Sequence, residues 1–456
     1  MLVRRTPDIG ADRRSVQIGG QPWVLTTSAE IPSLEDAVDY VCVSYAWGDR
    51  TTPHPFNEHA SMSDRTMPAL EATARSQHFS ALWVDAFCIP LEEPARAQCL
   101  RWMGAIFARA SRAVVVLSEP CAVALEQIRA TQGVEAAALP SLDDDPWVTR
   151  AWTYQELVNA RSVRFVAEGR STAWADGDEL LDYVGHAVKR YGEEHGLDVH
   201  EIRAKYRRLD GLEDLLLDWK TADYMERSAY QAVSSMHRRE AGRPDDHFNA
   251  MVGAISPAPT AVAPLRAEHP ADHFMRVCEA NGDYSFIYTA GPRSTASGRG
   301  WRPVAVDRFQ AVLPWHSFGE GQSAKVHSTH IELNGMWRLR PRPTAQTAID
   351  STERWLRIGH ADHTQGDVAT RLLARLRLAG FLGCGEYMEL AEGFFYSQSP
   401  LPTDRQVVVA VATGVRMVHG APALLLREGE SEIHDLCDVG VFIGKVPDAG
   451  DVICVR

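Results

Sequence analysis

The residues best placed to do chemistry are Trp152 and Glu156, in the stretch Arg150-Ala151-Trp152-Thr153-Tyr154-Gln155-Glu156-Leu157. Residues four apart on a helix share a face, so an indole and a carboxylate would look into one cleft. An aromatic wall beside a carboxylate suits a planar, positively charged ligand. The same spacing also describes an ordinary amphipathic helix with Trp152 in the core and Glu156 in solvent. Which reading holds depends on what precedes the octapeptide. Upstream lie two further groups of candidates, Ser44, Tyr45, Trp47 and Gly48, then Asp85 and Cys88.

The elements that must position these side chains can be read from apolar periodicity. Tyr40 to Tyr45 is a short apolar run ended by Ala46-Trp47-Gly48-Asp49, a buried strand with a loop at its carboxyl end. Leu82 to Ile89 repeats that plan and is stopped by Pro90. Pro94 then opens a helix whose Leu100, Met103, Phe107 and Ala110 form a core stripe. Arg112 to Ser118 and Ser162 to Val166 supply a third and a fourth strand, and the octapeptide is a helix between them. Short strands apolar on both faces, alternating with helices, predict a parallel sheet covered on two sides. Ligands of such sheets bind beyond the strands' carboxyl ends, where Ser44, Tyr45, Trp47, Asp85 and Cys88 fall.

At 456 residues the chain exceeds what one core usually organises. Five spans are predicted: an extension over 1–38, an α/β domain over 39–175, a helical segment over 176–255, a linker over 256–271 and a mixed α+β accessory domain over 272–456. Within the helical segment the expected packing positions are Leu212, Leu215, Leu216, Trp219, Tyr224, Ala232, Val233 and Met236. In the accessory domain Val326 to Leu339, Gln406 to Val418 and Ala423 to Leu426 read as strands, with a helix striped by Val368, Leu372, Leu373 and Leu376 between them.

Composition sets limits on partners. A net charge of -13 argues against nucleic-acid or anionic-membrane binding, which needs clustered Lys and Arg. Met1 to Gly20 lacks the apolar core of a signal peptide and no run approaches membrane-spanning length, so a cytoplasmic chain is expected. The eight cysteines include no CxxC pair and are expected to be reduced. His54 with His59, and His327 with His330, lack carboxylate or cysteine company in the sequence, so no metal is expected. There is no GxxxxGK[ST] and no GxSxG, and Gly383-Cys384-Gly385 lacks the rest of a dinucleotide fingerprint.

Ser44-Tyr45-Ala46-Trp47-Gly48, Leu82 to Ile89, Met103 to Ala110 and Arg150 to Glu156 resemble, in order and spacing, the blocks of the heterokaryon incompatibility (HET) domain. Arg238 through Gly253 resembles the segment that follows in many such proteins. The chain departs from the family at Pro90, where a polar residue and then glutamine usually stand. HET domains are similar to Toll/interleukin receptor (TIR) domains, and the resemblance implies a TIR-like, flavodoxin-like parallel sheet. Trp152 and Glu156 coincide with the TIR tryptophan and the glutamate four residues later, which in TIR enzymes cleaves the nicotinamide ribosyl bond of NAD.

The resemblance thus implies an N-glycosidic bond hydrolase acting on NAD or an NAD-derived nucleotide or nucleoside, with no cofactor and with Glu156 stabilising the ribosyl oxocarbenium ion. It implies either a metabolic enzyme or a defence effector. Asp85 then reads equally as a ribose ligand or water-activating group and as a strand-end carboxylate fixing the next loop. Arg150 could neutralise a pyrophosphate or pair with Asp143, Asp144 or Asp145. Ser44 and Tyr45 could bond a ribose or fix their loop, Trp47 or Trp152 could stack on the pyridinium, and Cys88 is a buried thiol before it is a nucleophile. The alternative from another class is a non-catalytic signalling module that assembles with partners. A homo-oligomer is compatible with either. Trp301-Arg302-Pro303 and Trp315-His316 are expected to help form a pocket or dimer contact.

Overall fold

The computed structural model describes residues 1–4, 13–26, 39–197, 201–202, 205–221, 227–256, 262–313, 317–341, 376, 387–399, 406–417, 419–429 and 432–456. Tyr224, Trp315-His316, the glycines around Cys384 and all of the striped helix except the buried Leu376 lie outside the described residues.

Three short strands come first: β1 (Leu2–Arg4), β2 (Ser15–Ile18) and β3 (Gln21–Leu25). They are followed by β4 (Tyr40–Tyr45), the hairpin of β5 (Thr51–His54) and β6 (Asn57–Ser63), helix α1 (Thr66–Ser76) and β7 (Ala81–Val84). Next are α2 (Asp85–Cys88), α3 (Ala95–Arg109) and β8 (Arg112–Leu117). Helices α4 (Ala122–Thr131), α5 (Leu139–Asp143) and α6 (Ala151–Val158) precede β9 (Val163–Ala167) and β10 (Trp174–Asp176).

An eight-stranded sheet runs β10-β9-β8-β4-β7-β1-β3-β2. Its four middle strands are mutually parallel, so the carboxyl ends of β4, β7, β8 and β9 share one edge. Their order is second, first, third, fourth. The chain therefore moves from β4 to one side and returns across it to the other, which leaves a crevice beside the end of β4. Within the expected extension over 1–38, the described residues 1–4 and 13–26 belong to the sheet, because β1 pairs directly with β7 and brings β2 and β3 onto that edge. One expectation is corrected. The second strand stops at Val84, and Asp85 to Cys88 turn into a helix rather than continuing to Ile89. An apolar run this short cannot distinguish a strand end from a helical turn.

Strand alternation decides which side chains meet which helices. Val41, Val43 and Tyr45 of β4 pack with Ala69, Leu70 and Ala72 of α1 in one core cluster. Tyr40 and Cys42 fall in the other cluster, with Met103 and Phe107 of α3 and Tyr154 and Leu157 of α6. Ser44 has the parity of Cys42, so its hydroxyl is delivered to the α6 side.

The helical segment consists of α7 (Gly177–His195) and helices over Arg207–Thr221, Ala229–Met236 and Pro244–Ile255. Leu212, Leu215, Leu216, Ala232, Val233 and Met236 are buried as expected, with Trp219 half-buried. The helix Pro244–Ile255 lies against α6, and Asn159 Nδ2 donates to Gly253 O at 2.8 Å. A Cβ added at Gly253 would stand 1.4 Å from Oε1 of the fully buried Gln155. This contact gives a physical reason for pairing the Arg150–Glu156 block with a glycine a hundred residues on. Gly253→Ala is expected to destabilise the protein by about 2–3 kcal/mol through overpacking, read as a lower urea midpoint.

Beyond 270 the fold is a helix, Pro270–Ala280, and a largely antiparallel ten-stranded sheet. Its strands include Ala324–Val326, Ile331–Leu339, Val407–Ala412, Gly420–Arg427 and Asp451–Val455. Buried apolar residues of this half join the cluster that also covers the α6 face of the first sheet. Trp301 is fully buried there, which makes it core rather than the pocket or dimer residue expected.

Candidate functional site

The site forms at the shared carboxyl edge of the parallel strands. Glu156 is only 8% exposed, near the end of α6, and its Oε2 accepts a 2.5 Å hydrogen bond from Ser44 Oγ. Ser44 in turn accepts from Trp147 Nε1 at 2.7 Å. The indole proton therefore fixes the direction of the serine hydroxyl, leaving the serine proton for the carboxylate. Trp147 is held by Asp145, which accepts from the Trp147 backbone N at 2.9 Å and from Ser118 at the end of β8 at 2.6 Å. Trp147 was not among the sequence candidates, since nothing in its local pattern indicates a partner 103 residues away.

Asp85, at the end of β7, accepts from Trp47 Nε1 at 2.7 Å and from the Ala86 backbone N at 2.6 Å. It thus fixes the adjoining loop and also holds Trp47, whose ring is 42% exposed. Tyr45 points to the opposite face of β4, where its hydroxyl meets Thr66 Oγ1 at 2.8 Å, and it also interacts with Asp85. Gly48 serves close packing: its N donates to Ser63 Oγ at 2.9 Å, and a Cβ there would come within 2.4 Å of Asp64 Oδ1. Cys88 lies behind the site, its sulfur 3.5 Å from Val84 N.

Burial dominates the electrostatics. Desolvation drives the Glu156 carboxyl up to about 8, opposed first by the Ser44 hydrogen bond, reinforced by Asp85, and opposed again by Arg150 and Arg239. Asp85 is also raised, by desolvation, against the bonds from Trp47, Ala86 and Tyr45 and the charge of Arg150. Two carboxyl groups out of water beside each other make a strong site for a cation. Ser44→Ala would strip the chief opposing interaction from Glu156 and leave the Trp147 indole without its acceptor. It is expected to move any Glu156-dependent pH profile to higher pH and to cost about 1–2 kcal/mol of stability.

The cations come from two places. Arg150 does not pair with the aspartates proposed for it. Asp143 instead accepts from the backbones of Arg208 and Leu209, and Asp145 caps Trp147. Arg239, which sequence reasoning missed, is 3% exposed and comes from the helical segment. Its Nη1 donates to Arg150 O at 3.0 Å and to Thr153 Oγ1 at 2.9 Å, and its guanidinium lies 5.7 Å from the Tyr154 ring centre. The next residue, Glu240, bridges the start of α6 by accepting from Ala151 N and donating to Thr149 O. Trp152 is half-buried and packed against the core, and no hydrogen bond of its indole joins it to this cluster. The tryptophans tied to the cluster are Trp47, bonded to Asp85, and Trp147, bonded to Ser44.

Three other features bear on the site. A cavity of about 630 Å³ lies between α7 and the helix Arg207–Thr221 and shares no residue with the acid cluster. The seven described cysteines are all free thiols. Among the described residues, His327 and His330 do have a carboxylate neighbour, Glu332, contrary to the expectation from sequence. Spacing along the chain understated this company because a hairpin folds all three onto one strand pair.

No helix among the described residues is long and apolar enough to cross a membrane. No curated protein and no solved structure matches the chain. Residues 40–138, which carry β4 through α4 and both Ser44 and Asp85, match the family model of the heterokaryon incompatibility protein (HET).

Proposed function

We propose that the protein hydrolyses the N-ribosyl bond of NAD or of an NAD-derived nucleotide, with Glu156 stabilising the ribosyl oxocarbenium ion. The observation that carries this reading is the desolvated Glu156 carboxyl, bonded to a serine of fixed direction at the carboxyl edge of a parallel sheet. The strand order second, first, third, fourth is that of flavodoxin-like sheets and supports the TIR-like reading.

Nicotinamide leaves NAD as a neutral ring from a cationic glycoside, so its departure needs no proton donor. The C1′–N bond breaks with both electrons going to nitrogen, and positive charge appears on the ribosyl ring. A carboxylate beside that ring stabilises the transition state more than the ground state. Ordinary glycosides need a second, protonated carboxyl because their leaving group is an alkoxide. Here Asp85 takes a different part: it accepts the proton of the water whose oxygen bonds to C1′. Trp47, exposed and held by Asp85, offers its face to the pyridinium for about 0.5–2 kcal/mol.

Incubation of the purified protein with NAD and related nucleotides, following base release, tests the reading. Turnover by the wild type that is lost in Glu156→Gln supports it. Equal turnover by both removes Glu156 from the mechanism, and NAD-dependent assembly seen by light scattering without turnover favours a signalling module.

A further inference from the structure

We infer that His327, His330 and Glu332 form a binding site for a divalent transition metal of the zinc class, in the second half of the chain and apart from the acid cluster around Glu156. The three residues flank the turn between the strands Ala324–Val326 and Ile331–Leu339. His327 N donates to His330 O at 2.9 Å, which closes a tight turn over Ser328 and Thr329 and sets the two histidines opposite each other. Their rings stack with centroids 4.5 Å apart and planes 9° from parallel.

Glu332 lies in the strand Ile331–Leu339, two residues beyond His330, which immediately precedes that strand in extended register, so the two side chains rise from the same face. Its Oε1 lies 3.0 Å from His327 Nε2 and 3.9 Å from His330 Nε2. Ligand atoms around a tetrahedral zinc stand ~3.4 Å apart when each bond is ~2.1 Å, so the three donors already bracket the required spacing. The rings must turn out of parallel for both nitrogen lone pairs to converge. That torsion is broad and soft for histidine. Thr329 Oγ1 lies 3.0 Å from His330 Nδ1, so the hydroxyl can accept the Nδ1 proton and leave Nε2 free to ligate.

The turn itself is pinned from behind. A Cβ at Gly298, whose φ is +72°, would approach Ser328 O to 2.4 Å and Thr329 Cα to 2.7 Å. Two imidazoles and one carboxylate suit zinc, nickel or copper rather than calcium or magnesium. Three protein ligands leave a position for water, as in open zinc sites. Glu332 has Lys325 opposite it on one neighbouring strand and Cys454 opposite it on the other. Lys325 is a positive charge beside Glu332, and Cys454 lies on the side of Glu332 away from the histidines.

The test uses untagged, full-length protein stripped with a chelator and titrated with Zn²⁺ and with Co²⁺. One equivalent of metal should bind, with visible Co²⁺ bands of low coordination number. A hundredfold excess of Zn²⁺ over Kd should raise Tm by roughly 3 °C. His330→Ala and Glu332→Gln should melt like the metal-free wild type and lose both the bands and the shift, whereas Cys454→Ser should keep them. Absence of saturable binding, or binding that survives His330→Ala, would overturn the assignment. Loss of binding in Cys454→Ser would overturn the three-ligand set.

Discussion

The proposed hydrolysis of NAD is expected to rise about tenfold per pH unit through the neutral range and to level off above about 8, the value to which burial drives Glu156. Below that value the free protein holds Glu156 as a neutral acid, which cannot stabilise an oxocarbenium ion by charge. A bound pyridinium lowers the carboxyl again, so substrate binding should release a proton and the profile of kcat should lie to the acid side of that of kcat/KM. Glu156→Gln retains the acceptor for Ser44 but carries no charge at any pH. Its rate should fall on the order of 10³-fold and lose the ascending limb. The same group makes a linked prediction for stability. Its folded value lies above the ordinary 4.5, so the native state keeps a proton that the unfolded chain has given up. The stabilisation that this provides is fully present below pH 4.5 and is lost as pH rises towards about 8. Urea midpoints across that window check the sign, and Glu156→Gln should flatten this contribution.

Arg239→Met is expected to be the most damaging single change outside the HET match. The guanidinium is buried and supplies donors to Arg150 O and Thr153 Oγ1 that methionine cannot replace. Removal of one member of a buried charged network costs about 3–5 kcal/mol. Burial lowers the Arg239 guanidinium to about 10, so it remains charged at neutral pH and continues to oppose the rise of the Glu156 carboxyl. Its loss should therefore move the ascending limb further towards alkaline pH, by up to about one unit. A limb that stays in place while stability falls would limit Arg239 to packing. Guanidinium denaturation and a kcat/KM profile on the same preparation separate the two effects.

What the sequence revealed and what it hid follow from the range of the interactions. β4, β7 and β8 were legible because strands buried on both faces are written as continuous apolar runs, and α6 because a helix carries its own period. Asp85 was placed at a strand end correctly, although the strand stops there and a helical turn begins. Trp152 misled, because shared parity with Glu156 says which way a side chain points but not what stands in front of it. Trp147 and Arg239 were invisible for the opposite reason. Their partners, Ser44 and Arg150, are 103 and 89 positions away, and only the closed fold brings them together. The His327-His330-Glu332 group was half legible: the histidines were noticed, while their carboxylate was overlooked two residues further along.

The bridge from Glu240 to the first turn of α6 has a consequence for how such a protein could be inherited in pieces. A recombination that moved residues 40–138 into another chain would carry Ser44 and Asp85 but leave behind Trp147, Arg150 and Glu156. One that extended through β9 would regain the acid and still lack the strand-like tie that holds the start of its helix, together with the arginine that opposes its protonation. The smallest piece able to carry the chemistry as a unit therefore runs from the first parallel strand past Glu240. Fusions that keep the acid but exchange the helices after β10 should inherit the shape of the edge without its charge.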